Sequence, residues 1–196
     1  MPWNPVLALV ELLVEVKAFK PMLASPANLE TLRFPVLASP KLGGIRCLIV
    51  DGEPVSLTLK PIPNEFIRSK LKGLPPLDGE IMTISGGIVD DFNTVRGNVM
   101  RKEGTPPFVF YAFDWIDPTQ PFLGRFKKLQ EWWLKDESDF VSVLPHQMVP
   151  SVEKLATLHH RYMWEKYEAT MIRDPQGLYK QGRSTAKEQG LLKLKP

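Results

Sequence analysis

Nine consecutive residues, Phe108-Val109-Phe110-Tyr111-Ala112-Phe113-Asp114-Trp115-Ile116, carry a single charged side chain. A near-continuous apolar and aromatic run of this length reads as a central strand buried on both faces. Such a strand needs neighbours in a sheet and layers above and below it, which the rest of the chain must supply. The 19 prolines fall mainly in connections such as Lys60-Pro61-Ile62-Pro63, Leu74-Pro75-Pro76 and Thr105-Pro106-Pro107. That pattern implies many short strands joined by stiff turns. The class expected is α+β, with antiparallel sheets carrying helices on their outer faces.

Phe34 to Ala38 and Ile45 to Asp51 read as strands on either side of a turn at Lys41. Asp51-Gly52 is a hairpin signal, with Pro54 to Leu59 as the returning strand. Asn64 caps a short helix from Glu65 to Leu71. Leu77 to Ile84 is a further strand, and Asp90 to Met100 is a short helix or loop. Arg125 to Asp136 has helical spacing, with Phe126, Leu129, Trp132 and Trp133 on its inner face. Phe140 to Leu144 is a strand, and Ser151 caps a second long helix to about Lys166. Ala169 to Arg173 and Leu191 to Lys195 are late strands, joined by the loop Asp174 to Gln189.

Val6, Leu9, Val10, Leu13 and Val14 make one stripe after Asn4-Pro5, so residues 1–19 read as an N-terminal amphipathic helix. Spanning a bilayer takes about 20 apolar residues, and Glu11 and Glu15 interrupt this shorter stretch. Neither a membrane span nor an export signal is expected. Cys47 is the sole cysteine. With no internal disulfide open to it, a buried thiol in a reducing compartment is the expectation. A net charge of +3 permits an anionic partner without requiring one.

Lys41 precedes Gly43-Gly44 and Arg46 follows. Alone, this is a solvated lysine on a surface hairpin in most chains. The other reading is an amine nucleophile for the α-phosphate of ATP, beside backbone bare enough for a ligand to come close. Lys193 and Lys195 alternate on the last strand and share one face. They are an ordinary basic edge, or they are neighbouring cations that ease loss of a proton from Lys41. Tyr111 and Phe113 lie on one face of the central strand, where core packing is the default. His159-His160 point in different directions on a helix, His146 has no visible partner, and Asp90-Asp91 starts a helix. None of these makes a metal site.

Five fragments recur in order with the Lys41 stretch: Leu77-Asp78-Gly79-Glu80, Tyr111-Ala112-Phe113-Asp114, Glu168-Ala169-Thr170-Met171-Ile172-Arg173, Tyr179 to Ser184, and Leu192-Lys193-Leu194-Lys195. The set resembles the adenylation domain of ATP-dependent DNA ligases, the small bacteriophage-type enzymes in particular, over residues 20–196. The resemblance implies a nucleotidyltransferase fold: two antiparallel sheets with flanking helices and a nucleotide groove between them. It implies Lys41 as the nucleophile that takes AMP from ATP and passes it to the 5′-phosphate of a nick. Arg46 would bind the nucleotide or the nick phosphate. Glu80 would meet the ribose hydroxyls or help hold Mg²⁺, and Glu168 would be a metal ligand. Phe113, with Tyr111 as its rival, would stack on adenine, and Lys193 and Lys195 would face the nucleotide. The partners implied are ATP and nicked double-stranded DNA, met by a monomer in the cytoplasm of a bacterial or phage-infected cell. The C-terminal OB domain of full ligases is expected to be absent from these 196 residues.

Three positions depart from the family pattern. Gly43 stands where K-x-D-G-x-R has aspartate, Leu57 where an arginine follows serine, and Ala169 where E-G-x-x-x-[KR] has glycine. They motivate a second expectation, a degenerate domain that binds nucleotide or DNA without ligation. An RNA ligase or capping-type nucleotidyltransferase shares the lysine chemistry and is the third.

Overall fold

Prolines and glycines cut the chain into short strands that only long-range pairing can hold together. The computed structural model describes residues 18–196; the helix expected before them lies outside the described residues. In chain order the elements are β1 (Met22–Leu23), β2 (Ser25–Pro26), β3 (Val36–Pro40), β4 (Ile45–Val50), β5 (Glu53–Ser56), α1 (Glu65–Leu71), β6 (Leu77–Ser85) and β7 (Ile88–Val89). They continue with α2 (Phe92–Met100), β8 (Phe108–Trp115), α3 (Phe122–Trp133), β9 (Val141–Val143), β10 (Gln147–Val149), α4 (Val152–Trp164), β11 (Thr170–Arg173), β12 (Gly182–Arg183) and β13 (Leu191–Leu194).

Two main sheets result. The larger runs β5-β4-β6-β8-β9 with β7 folded onto β6, and the smaller runs β10-β3-β11-β13-β2. Both are antiparallel apart from one edge pairing each, β8 with β9 and β13 with β2. The parallel pair β1 and β12 forms a third, minor sheet. Side chains such as Ile67, Leu71, Val95, Val99, Phe122 and Leu129 cover the larger sheet from α1, α2 and α3. Leu155, Leu158 and Tyr162 of α4 cover Val36, Ala38, Ile172 and Leu192 of the smaller one. No helix among the described residues is long and apolar enough to cross a membrane.

Local chemistry sets the helix ends. Asn64 accepts from the Ile67 amide and donates to three carbonyls of the loop after α2. Asp91 caps α2 through the Thr94 amide, and Ser151 caps α4 through that of Lys154. The third helix begins at Phe122, three residues before its apolar period suggests, because Arg125 belongs to its buried face. Trp132 packs against the core, whereas Trp133 is 37% exposed and donates its indole N–H to the Val141 carbonyl. The returning strand of the first hairpin stops at Ser56, short of Leu59, because a turn begins there: the Leu59 amide donates to the Ser56 carbonyl at 2.8 Å, and Leu59 itself has a φ of 62°.

The central strand departs from the sequence reading in an informative way. Phe108, Phe110, Ala112 and Asp114 are buried, while Val109, Tyr111 and Phe113 are only half-buried, so one face opens toward the groove. Asp114, the lone charge of the run, is fully buried. Its Oδ1 accepts from Arg125 Nε at 2.8 Å and its Oδ2 from Arg173 Nη1 at 2.8 Å. Next to it on β6, Asp78 accepts two hydrogen bonds from Arg46, at 2.8 and 2.7 Å, and one from the Tyr179 hydroxyl at 2.8 Å. These two carboxylates tie both sheets, α3 and the loop before β12 into one body.

Removing one member of a buried ion pair leaves an uncompensated charge and costs about 3–5 kcal/mol. Asp114→Ala strands two guanidinium groups and should lose that much or more in urea unfolding. Glu65→Ala, which cuts an exposed pair with Lys102 at 3.4 Å, should cost about 1 kcal/mol or less.

Candidate active site

The groove between the sheets is built by close backbone approach. Gly44 sits against β6: a Cβ there would lie 2.3 Å from the Ile81 carbonyl oxygen and 2.4 Å from Met82 Sδ. Its amide donates to Glu80 Oε1 at 3.1 Å. Gly79 is equally crowded, with a Cβ 2.6 Å from both the Phe110 ring and the Tyr111 carbonyl. Here the ladder slips: Asp78 pairs with Asp114 but Gly79 with Ala112, so Phe113 has no partner on β6. A bulge of this kind re-aims the side chain it carries.

Lys41 leaves the end of β3, anchored by its amide to the Ala169 carbonyl at 2.9 Å. Its Nζ donates to Glu168 Oε2 at 2.5 Å. The Lys41 hydrogen bond, helped by the charges of Lys195 and Lys193, holds the Glu168 carboxyl below the usual glutamate range. Lys193 of β13 and Lys195 just past its end therefore stand beside the Lys41–Glu168 pair. A cavity of about 470 Å³ opens next to Lys41, lined among others by Arg46, Glu80, Phe113, Met171 and Arg173. Burial, opposed by the charges of Arg46 and Lys41, pushes the Glu80 carboxyl up to about 7. Arg46 does not reach freely into this space. It is spent on Asp78 and on the Met22 carbonyl at 2.8 Å. Burial works against its charge, but Asp78 outweighs that and leaves the guanidinium above its ordinary value.

Phe113 and Tyr111 part company at the bulge. Phe113 lines the 470 Å³ cavity, with Arg46 and Arg173 guanidinium carbons 5.5 and 5.7 Å from its ring centre. Tyr111 lines a second cavity of about 930 Å³, which shares Lys41 with the first. Leu57 is 44% exposed at the mouth of the first cavity, between Ser56 and Thr58. A side chain at Gly43 would point into open space. Ala169 is fully buried and is not among the residues with left-handed backbone, so its methyl group brings no strain. Cys47 is buried, and burial raises its thiol well above the ordinary value. His146 lies between the Phe122 and Phe126 rings, and burial takes it down to about 3. His159 is buried against the Thr170 hydroxyl. Among the described residues no group of three His, Cys, Asp or Glu side chains converges as a metal site would.

Met171 and Arg173 were not legible as groove residues, although they alternate with Ala169 along one strand, a signal that could have found them. Asp114 gave a weaker clue, as the one carboxylate inside an otherwise apolar run.

A lysine paired with a carboxylate, an aromatic floor and arginines, all in a cleft between two antiparallel sheets, define a nucleotidyltransferase-type catalytic domain. The sequence model of the ATP dependent DNA ligase domain matches residues 21–195, and the chain belongs to that family. The structure is similar to the DNA ligase-adenylate of Chlorella virus, with 33% identity and a TM-score of 0.80. That match covers 90% of this chain and 67% of the viral ligase, about two thirds of its length. The ATP-dependent DNA ligase of bacteriophage T7, solved with ATP, matches at 20% identity and TM-score 0.65, over 90% of this chain and 68% of the other. Mycobacterial DNA ligase D, complexed with ATP and MES, matches at 18% identity and TM-score 0.66, over 92% and 61%. These last two show the fold alone. A comparison with curated proteins finds no match.

The Glu80 carboxyl has a direct consequence for pH. Its folded value of about 7 lies above the ordinary 4.5, so the folded state holds its proton more tightly than the unfolded chain. Stability from this group is complete below the lower value and is lost as pH rises through the upper one. Glu80→Gln removes that loss. Its thermal unfolding should match the native chain near pH 4.5 and exceed it at pH 8, by about 2 kcal/mol once water entering from the cavity is allowed for. A constant difference across that range would contradict the assignment.

Proposed function

We propose that residues 20–196 form an adenylation domain that charges Lys41 with AMP from ATP and delivers it to a nick in double-stranded DNA. The observation that carries this reading is the Lys41–Glu168 contact of 2.5 Å at the edge of the cavity that Phe113 lines. An amine tied to a carboxylate does not attack, so the pair opens as the triphosphate arrives. The Lys41 nitrogen then bonds to the α-phosphorus and loses a proton to solvent, and pyrophosphate leaves with the electrons of the broken P–O bond. A 5′-phosphate oxygen of the nick displaces the lysine, and the 3′-hydroxyl finally displaces AMP.

Phe113 from the larger sheet and Met171 from the smaller one support a flat base held between them. Glu80 is in reach of a ribose, and Lys193 and Lys195 suit the polyphosphate. Magnesium fits these residues as an ion held mainly by phosphates and water, with one or two carboxylates from the protein. Glu168, kept ionised beside Lys41, and Glu80 would supply them. Bound there, it would offset charge on the phosphates. Arg46 acts on the site chiefly by holding Asp78 and flanking Phe113. A monomer acting in the cytoplasm, on nicks left by replication, repair or recombination, is the setting we infer.

Leu57 favours a second reading: an apolar side chain at the cavity mouth offers a nick phosphate nothing. A domain that stops at nucleotide binding would show this.

Incubation with ATP and Mg²⁺ should add one AMP to the intact protein, mapped to Lys41 and absent from Lys41→Ala. If the native chain stays unmodified and Gly43→Asp with Leu57→Arg gains the adduct, the second reading holds. Phe113→Leu should raise the ATP Kd by the worth of one base stack, about 1–3 kcal/mol, measured by calorimetry.

A further inference from the structure

Leu57 leaves the mouth of the 470 Å³ cavity without a cation at the position where the family pattern has arginine. The guanidinium groups in the cavity wall are engaged, Arg46 with Asp78 and Arg173 with Asp114. A phosphate entering to meet AMP on Lys41 finds no free guanidinium on either. The mouth has a second wall, however. Met100, the last residue of α2, lines the same cavity and is 45% exposed.

That helix runs alongside both cavities. Phe92 at its start lines the 930 Å³ cavity, Met100 at its end lines the other, and Pro40, Lys41, Leu42 and Leu144 line both. Residues four apart on a helix share a face, so Phe92, Arg96 and Met100 form one row past that junction, with Arg96 at its middle. Buried Val95 and Val99, and Asn98 bonded to Thr83 Oγ1 at 3.1 Å, turn the other side of the helix to the larger sheet. Arg96 is exposed and takes part in no ion pair among the described residues. The nearby carboxylates are occupied, Asp90 by the Thr83 hydroxyl and Asp91 by the Thr94 amide. Next to Arg96 stands Gly97, where a Cβ would meet nothing within 4 Å. Glycine weakens a helix interior; here its bare surface lets another backbone come close to the arginine.

From this arrangement we infer that Arg96 is the ligand through which this chain holds the 5′-phosphate of the nick. The inference rests on the ligase reading and moves the phosphate-binding charge from the hairpin tip at Leu57 to the middle of α2. To attack Lys41-bound AMP, the 5′-phosphate must enter the first cavity over its mouth. One of its oxygens bonds to the AMP phosphorus in line with the breaking P–N bond, whose electron pair returns to the Lys41 nitrogen. The long apolar stem of an arginine lies readily along a neighbour such as Met100 while its head stays in water. The planar fork of donors then meets two phosphate oxygens at once. Leucine at position 57 is compatible with ligation on these terms, because the charge comes from another element.

The test uses the full chain and two nicked duplexes that differ only in carrying a 5′-phosphate or a 5′-hydroxyl at the break. Binding is read by fluorescence anisotropy over a range of salt, and circular dichroism checks that each variant folds. Arg96→Gln should raise the Kd for the 5′-phosphate duplex at least five-fold and that for the 5′-hydroxyl duplex less than two-fold. The salt slope for the 5′-phosphate duplex should fall by about one. Leu57→Arg offers the charge from the hairpin tip instead, so it should recover binding in the Arg96→Gln background and gain less than two-fold in the native one. Equal loss on both duplexes, which would make Arg96 a contact to the flanking backbone, overturns the inference. So does unchanged binding in Arg96→Gln, a Leu57→Arg gain of the same size in both backgrounds, or a native chain that binds the two duplexes alike. None of these measurements needs AMP on Lys41. Failure of the ligase reading is therefore seen separately, as no AMP appearing on Lys41 from ATP.

Discussion

Two buried carboxylates organise the molecule. Asp78 and Asp114 sit side by side on neighbouring strands of the larger sheet, each facing guanidinium groups. Charges taken out of water are tolerated only when every partner is in place. The network therefore fixes where β11 meets the larger sheet through Arg173, and where the chain before β2 lies through the Met22 carbonyl. The groove is what remains between parts held at that spacing. Its arginines serve double duty, as braces for the sheets and as charges beside the Phe113 ring.

Much of this was written locally. The caps at Asn64 and Ser151, the turn at Asp51-Gly52 and the late strands are short-range signals, read correctly because one or two residues decide them. The strands β1, β2 and β10 were not legible, since each is two or three residues long and exists only through a partner far away in sequence. The same limit applied to the groove. Lys41 and Glu168 meet in a hydrogen bond, with Lys193 and Lys195 close enough for their charges to act on the Glu168 carboxyl. The separation of Tyr111 from Phe113 was not legible, because a register shift belongs to a pair of strands and leaves no mark in either one alone.

The departures from the family pattern differ in physical weight. Ala169 is accommodated without strain, and open space at Gly43 would accept a carboxylate, so neither reflects a reshaped backbone. Leu57 changes the character of the cavity mouth itself. The fold and the cleft are thus intact in shape, and the chemical difference is concentrated beside Leu57.

The parallel pairings of β1 with β12 and β2 with β13 link residues 22–26 to residues 182–193. Closing a loop of that length is entropically slow, and topologies rich in such contacts fold slowly. During synthesis the smaller sheet stays incomplete until β13 has left the ribosome, and Lys41 waits beside a half-built wall. The Lys41 amine is among the first parts made and among the last to acquire its surroundings, so an unfinished chain holds no closed cleft around it.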